Sequence, residues 1–397
     1  MFIVLASGLQ FAPPVAIPSR RVLHSASVKR ELHPVISYLP LLLVIGCLST
    51  ALAADKPKPA PELFPLPFPW VSRLEPADAT RLDFSFLGIS DEDLARLEMR
   101  TQLRELRLSG TNVTDIVLAH LKPLTQLKVL HLGGTKVGNA GLEHLKALTQ
   151  LQELDLGSTE VSDAGLAHLK PLTQLKVLRL SGTEVGDVGL GHLKPFTQLQ
   201  KLDLYDTQVS DAGLEQLKTL TQLQSLNLSH TKVGNAGVAY LEPLTQLKEL
   251  ELGCTQISDS GLRHLKSLTQ LQRLALSYTK VSGAGLEHLK PMAQLKVLSL
   301  SGKRVSGAGL EHLKPLTLLE WLDLSRTKVT DAGLVNLKSL THLYNVSLDD
   351  TQVSDTGLGH LKPLTRLHWI DLHNTKVTDA GVAALRKHLP KCYIFYR

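Results

Sequence analysis

A stretch of 24 residues, LQELDLGSTEVSDAGLAHLKPLTQ at 151–174, begins again at Leu175, Leu199 and Leu223. From Leu103 to Leu367 the phase holds without insertion or deletion, which gives twelve units. A chain with such a period stacks like units in one direction. It grows without a second core, so its 397 residues need not divide into several globular domains. Each unit reads L-x-x-L-x-L-x-x-T-x-V-x-D-x-G-L-x-x-L-x-x-L-x-x.

Local chemistry assigns each part of the unit. Leu154 and Leu156 alternate with polar neighbours, the pattern of a strand buried on one face. Stacked units then make a parallel sheet. Thr159 turns the chain, and its hydroxyl is expected to satisfy backbone groups of the turn. Lys303 replaces this threonine once and predicts a local distortion or a water there. Ser, Thr or Gly stands at the place of Ser162 in every unit, from Thr114 to Thr378, as helix N-caps do. Val161 and Leu166 are spaced for a hydrophobic staple. Asp163 and Lys170 suit the two ends of a helix dipole, and Pro171 ends the helix. The core is aliphatic, in keeping with a hydrophobic share of 43% and an aromatic share of 5%.

Through Leu151, Leu154, Leu156, Thr159, Val161, Gly165, Leu166, Leu169 and Leu172, and their equivalents in every unit, the chain resembles the leucine-rich repeat family over about three quarters of its length. It is similar to the ribonuclease-inhibitor and cysteine-containing types, with Thr where those carry Asn or Cys. Many secreted bacterial proteins have repeats similar to this Thr-and-Asp form. The resemblance implies an α/β solenoid, a horseshoe with a parallel sheet on the concave face and short helices on the convex face. It also implies a non-enzymatic scaffold for protein–protein interaction through the concave face.

The ends differ from the array. Residues 1–53 read as an N-terminal extension and export signal: Lys29 and Arg30, an apolar run at 35–49, then Ala51, Leu52 and Ala53. Cleavage is expected after Ala53. A lipidated Cys47, in a lipobox-like Val44-Ile45-Gly46-Cys47, and an uncleaved anchor are the other two readings. The long basic lead suggests a translation start near Val28. Residues 54–78 form a proline-rich linker, whose Phe64, Phe68 and Trp70 fold back over the first repeat or dock a partner. Residues 79–102 are a worn repeat with Leu82, Phe84, Ile89, Leu94 and Leu97 in phase, an N-terminal cap. The repeats run over 103–390. Residues 391–397 close the chain as a cap strand with an aromatic lid.

Charge and cysteine usage narrow the function. The net charge is +6, and half of it lies in residues 1–53. The body is mixed in sign, without a nucleic-acid footprint, and no membrane span is expected in the mature chain. Cys254 and Cys392 lie roughly 25 Å apart by strand spacing, too far for a disulfide. No Walker loop, nucleophile elbow or zinc motif occurs, and no metal or other cofactor is expected. A histidine row (His120, His144, His168 and counterparts) and a lysine row (Lys122, Lys146, Lys170 and counterparts) run along the outer helices. One histidine per helix is a poor metal site. The lysines complement the helix dipole and pair with glutamates at i,i+3, as Glu287–Lys290 would.

The exposed sheet face is where the units differ from one another. Its first part mixes signs and neutralises itself. The last three units bring together Trp321, Asp323, Tyr344, Asn345, Asp349, Asp350, Trp369 and Asp371, aromatic anchors inside an acidic rim, the composition of a recognition patch. The competing reading packs the aromatics against each other and the C-terminal cap. A calcium site at Asp349, Asp350 and Asp371 is a further reading. Glycosidase chemistry at Asp323 and Asp371 is disfavoured, because an open sheet face does not exclude water. The leading partner is a protein, with a glycan or cell-envelope polymer as first alternative. A substrate receptor for a ubiquitin ligase ranks last, since an export signal precedes the array and no F-box-like segment does. The sequons at Asn112, Asn227 and Asn345 matter only in a glycosylating host.

Overall fold

The computed structural model describes residues 79–396. The contacts divide the chain at residues 63 and 64, and all described residues belong to the second unit. The expectations for the export signal, Val28, Cys47 and the linker aromatics lie outside the described residues.

Fourteen strands of three residues form one parallel sheet in chain order. The twelve repeats supply the strands from Glu105–Arg107 to Trp369–Asp371. The worn repeat adds Arg81–Asp83 at one end and the closing segment adds Tyr393–Phe395 at the other. Every pairing holds the 24-residue register, so Glu153 sits beside Val177, and Trp321 beside Asn345. The middle residue of each strand turns into the core. Leu154, Leu156, Leu166, Leu169 and Leu172 are fully buried, as are their counterparts in most units. Removing one such leucine should cost about 2–5 kcal/mol. Leu82, Phe84, Ile89, Leu94 and Leu97 are buried too, so the worn repeat does continue the core.

The turn after each strand has two components. The threonine hydroxyl donates to the carbonyl three residues back, Thr159 to Leu156 and Thr351 to Leu348, both at 2.6 Å. The residue before the threonine lies in the left-handed region, as with Ser158, Cys254, Tyr278 and Gly182. At Gly302, before the exceptional Lys303, φ moves out to 122°. This is the distortion the sequence predicts.

The outer side departs from the expected helix. A typical unit has one α-helical turn, Asp163–Leu166, followed by 3-10 geometry, Ala167–Leu169. Two units are wholly 3-10, at Ala284–Leu289 and Gly307–Leu313. The aspartate row also has another role than the dipole. Asp187 Oδ1 accepts the backbone N–H of Ser210 in the next unit at 2.7 Å, and its Oδ2 accepts the Ser210 hydroxyl at 2.5 Å. Asp163 to Gly186, Asp331 to Ser354 and Asp355 to Thr378 repeat the bond, and Asn139 and Asn235 substitute in it. The cap hydroxyl accepts a first-turn N–H at Thr114, Ser210, Ser282 and Thr378. The N-cap residue is therefore chiefly the donor in a bond between units. The same geometry explains the glycine of D-x-G-L: a Cβ on Gly189 would collide with the Asp163 carboxylate of the unit before.

Candidate sheet-face binding site

With leucines pointing inward, the first and third residues of each strand form an open face. Its three regions differ in what their side chains already satisfy.

The N-terminal region neutralises itself, as its mixed signs predict. Glu105 pairs with Arg81 at 2.5 Å and Arg107 at 2.7 Å. Glu153 pairs with Arg179 at 2.6 Å and His131 at 3.0 Å. Burial alone would raise the Glu153 pKa, but hydrogen bonds from Arg179 and His131 bring it below the usual glutamate value.

The middle region does not neutralise itself. A hollow of about 170 Å³ opens between Arg179, Lys201, Asp203, Ser225, Asn227 and Glu251. Burial raises the pKa of both Asp203 and Glu251. Asp203 accepts the Tyr205 N–H at 3.0 Å. Glu251 has only the longer-range field of Arg273 to offset its burial and the charges of Asp203 and Glu249. Sequence reading missed this hollow. The available signal was the short Ser225 beside the longer Lys201 and Glu249 in one row.

The C-terminal region holds the predicted patch. Trp321, Asn345, Trp369 and Tyr393 are consecutive in register, and so are Asp323, Ser347, Asp371 and Phe395. The structure thus brings the two tryptophans onto one face, separated by Asn345, both half-buried. Tyr344 stacks on His368 at 4.9 Å, and His368 meets Tyr393 edge-on at 5.2 Å. Trp369 and Phe395 approach to 5.9 Å. Packing among the aromatics is thus real, yet it leaves Tyr344, Tyr393 and Phe395 41%, 62% and 45% exposed. Tyr393 and Phe395 do not form the expected lid. Ile394 and Cys392 cover the core instead, and Tyr396 packs partly against it, its hydroxyl donating to Asp379 at 2.9 Å. His368, Tyr393 and Phe395 are the members that sequence reading missed. Strand alternation carried forward from Trp369 would have found the last two.

The acids of the patch divide into two pairs. Asp323 accepts the Ser325 N–H at 2.9 Å and the hydroxyls of Ser325 and Ser299. Asp371 accepts the His373 N–H at 3.0 Å and lies against the His373 ring. These two carboxylates stand on the open face and also hold their own turns. Asp349 and Asp350 stand at the strand exit. Burial raises the Asp349 pKa and the charges of Asp371 and Asp323 add to the rise, while the Ser347 hydrogen bond and the Arg326 charge oppose it. Asp350 is exposed with φ at 54°. Among the described residues no group of three or more His, Cys, Asp or Glu is arranged to hold a metal ion, and no helix is long and apolar enough to cross a membrane. Cys254 and Cys392 are free thiols.

On the outer side, His120 and His264 meet Glu98 and Glu242 at 3.5 and 2.7 Å. Lys146 and Lys218 pair with Glu143 and Glu215 at i,i+3. Glu287 departs from this pattern: it lies 3.8 Å from His288 rather than on Lys290. Burial and then the Lys170 charge lower the His192 pKa. Part of each row is thus engaged, between units at His120 and His264 and within a unit at Lys146 and Lys218.

Comparison with known proteins agrees with this geometry. The profile of the leucine-rich repeat region family matches residues 84–280. An internalin of Listeria monocytogenes superposes with a TM-score of 0.66 at 26% identity, covering 80% of this chain and 86% of its own. A leucine-rich-repeat protein of Leptospira interrogans gives 0.53 at 17% identity, covering 80% and 96%. The functional domain of a second Listeria internalin, described as including a cysteine ladder, gives 0.51 at 17%, covering 76% and 69%. No curated protein sequence matches the chain significantly.

Proposed function

We propose that this chain, a leucine-rich-repeat protein, is an exported, non-enzymatic scaffold that binds a protein partner through the C-terminal end of its open sheet face. One observation carries this reading. The four last strands present partly exposed Trp321, Trp369, Tyr393 and Phe395 side by side on rigid, paired backbone. The N-terminal end of the face, by contrast, pairs its own charges. Aromatic side chains lose little entropy on docking and contribute the largest buried areas, which makes them the usual anchors of an interface. Export rests on the leader-like segment before Ala53 and on likeness to an internalin of Listeria.

The test is recovery of partners by the mature protein against a Trp321→Ala/Trp369→Ala variant. Loss of partners in the variant, with unchanged circular dichroism, supports the reading, and equal recovery overturns it. Recovery of envelope glycan and no protein would replace the protein partner with a polymer. Mass spectrometry of the mature N-terminus tests export: a start at Ala54 supports signal cleavage, and a retained leader overturns it.

A further inference from the structure

The partner's chemistry follows from what the patch lacks. Between the strands Trp321–Asp323 and Tyr393–Phe395, the eight open-face positions carry four aromatics, two aspartates, Asn345 and Ser347, and no lysine or arginine. The rest of the face is supplied with cations: Arg81, Arg107, Arg179, Lys201 and Arg273 all stand on it. Of the basic groups bordering the patch, Arg326 donates to Tyr278 Oη at 3.0 Å and reaches Asp349 only through its longer-range charge, without an ion pair. Arg366 and Lys391 lie at the strand entries, the opposite end from Asp349 and Asp350. The C-terminal region is thus an aromatic surface bounded on one side by two carboxylates, Asp349 and Asp350, that form no ion pair among the described residues.

We infer that the occupant is a cationic protein segment, one that places lysine or arginine against the Asp349–Asp350 rim while its apolar stems and neighbours lie on Trp369, Tyr393 and Phe395. This rests on the reading of the face as a protein-docking surface. An aromatic face attracts a cation through its ring quadrupole. A rim carboxylate does so through its charge, and in a half-buried position it is screened less than on an open surface. An acidic segment would instead meet four aspartates in one region, a like-charge contact that disfavours the complex. A neutral apolar segment would desolvate Asp349 further and add no charge to that of Arg326, although burial already raises its pKa.

Two of the chain's three tryptophans lie in the patch, so its emission reports occupancy directly. The experiment titrates the full chain with a peptide of alternating lysine and leucine, a matched glutamate–leucine peptide, and a glucosamine oligomer. The lysine peptide should change the emission saturably. Its apparent Kd should weaken about tenfold when ionic strength rises from about 0.05 to about 0.5 M, and comparably in Asp349→Asn/Asp350→Asn. The glutamate peptide should leave the emission unchanged. Equal response to both peptides, or an unaffected double variant, overturns the cationic inference while the docking surface stands. A response to the glucosamine oligomer alone also overturns it, in favour of a cationic glycan. No response to any probe overturns it as well, and the docking reading then rests on partner recovery by the tryptophan variant. Trp321→Phe and Trp369→Phe show which ring reports, and a signal that survives both removes the patch as its origin.

Discussion

Gly283 and Gly309 stand 26 residues apart in sequence and backbone against backbone in the fold: a Cβ on Gly309 would collide with the Cα of Gly283. In other units the first of these positions is Asp or Asn, which accepts the next unit's cap N–H and covers its glycine. Gly283 and Gly307 lack that side chain, and Gly309 and Gly333 close onto the bare backbone. The same two units are the ones whose outer segments are entirely 3-10. Loss of one acceptor thus alters the packing of a whole turn.

Gly309→Ala is therefore expected to destabilise the protein by about 2 kcal/mol or more, because the clash is with backbone and no side chain can give way. Gly191→Ala is the control. A Cβ there meets nothing within 4 Å, and the helical conformation suits alanine, so the change should stabilise by roughly 0.5–1 kcal/mol. Urea denaturation of the two variants, read at constant m-value, checks both signs.

The bond between units makes a second prediction. Asp187→Ala removes acceptors for the Ser210 N–H and hydroxyl. A hydrogen bond to a charged group contributes roughly 1.5–3 kcal/mol. The loss should fall near that range, and amide exchange should speed up first at Ser210. Asp187→Asn keeps an acceptor and should recover most of the stability, as Asn139 and Asn235 do naturally.

Much of this is legible in the sequence alone. A buried leucine announces itself, since its spacing alone places it on the inner face, and the strand register followed from an unbroken period. The partner of Asp187 was not legible. Ser210 lies 23 residues away, and one unit read alone shows only an acid at a helix start, which dipole and capping rules explain equally well. Asp323 and Asp371 posed the same ambiguity. An acid two residues before a turn N–H either caps it or faces outward, and composition does not choose between these. Tyr393 and Phe395 were hidden because the closing segment has no leucines to mark its phase, so an exposed pair looked like a lid.

Trp369→Ala should affect binding more than folding. Its ring is half-buried and, among the described residues, its one ring contact is Phe395, whereas the neighbouring Ile370 is fully buried. Trp369→Ala should lower stability by about 1 kcal/mol, less than the about 2–4 kcal/mol expected for Ile370→Ala. If the patch docks a partner, Trp369→Ala weakens that complex by about 2 kcal/mol or more, near a thirtyfold change in Kd. Thermal melts alongside calorimetric titration separate the two effects.

The hollow in the middle of the face predicts a dependence on pH. Burial raises the Glu251 pKa above the ordinary glutamate value of 4.5, and the charges of Asp203 and Glu249 add to the rise. The folded chain thus holds this proton more tightly than the unfolded chain, and stability falls as pH climbs from the ordinary value through the raised one. Below that window both states are protonated and nothing is lost. Glu251→Gln carries no charge at any pH and escapes the fall. Its Tm should exceed that of the parent at pH 7, and the difference should shrink below about pH 4, where the parent is protonated as well. A difference that persists unchanged at low pH would assign the gain to packing rather than to the buried charge.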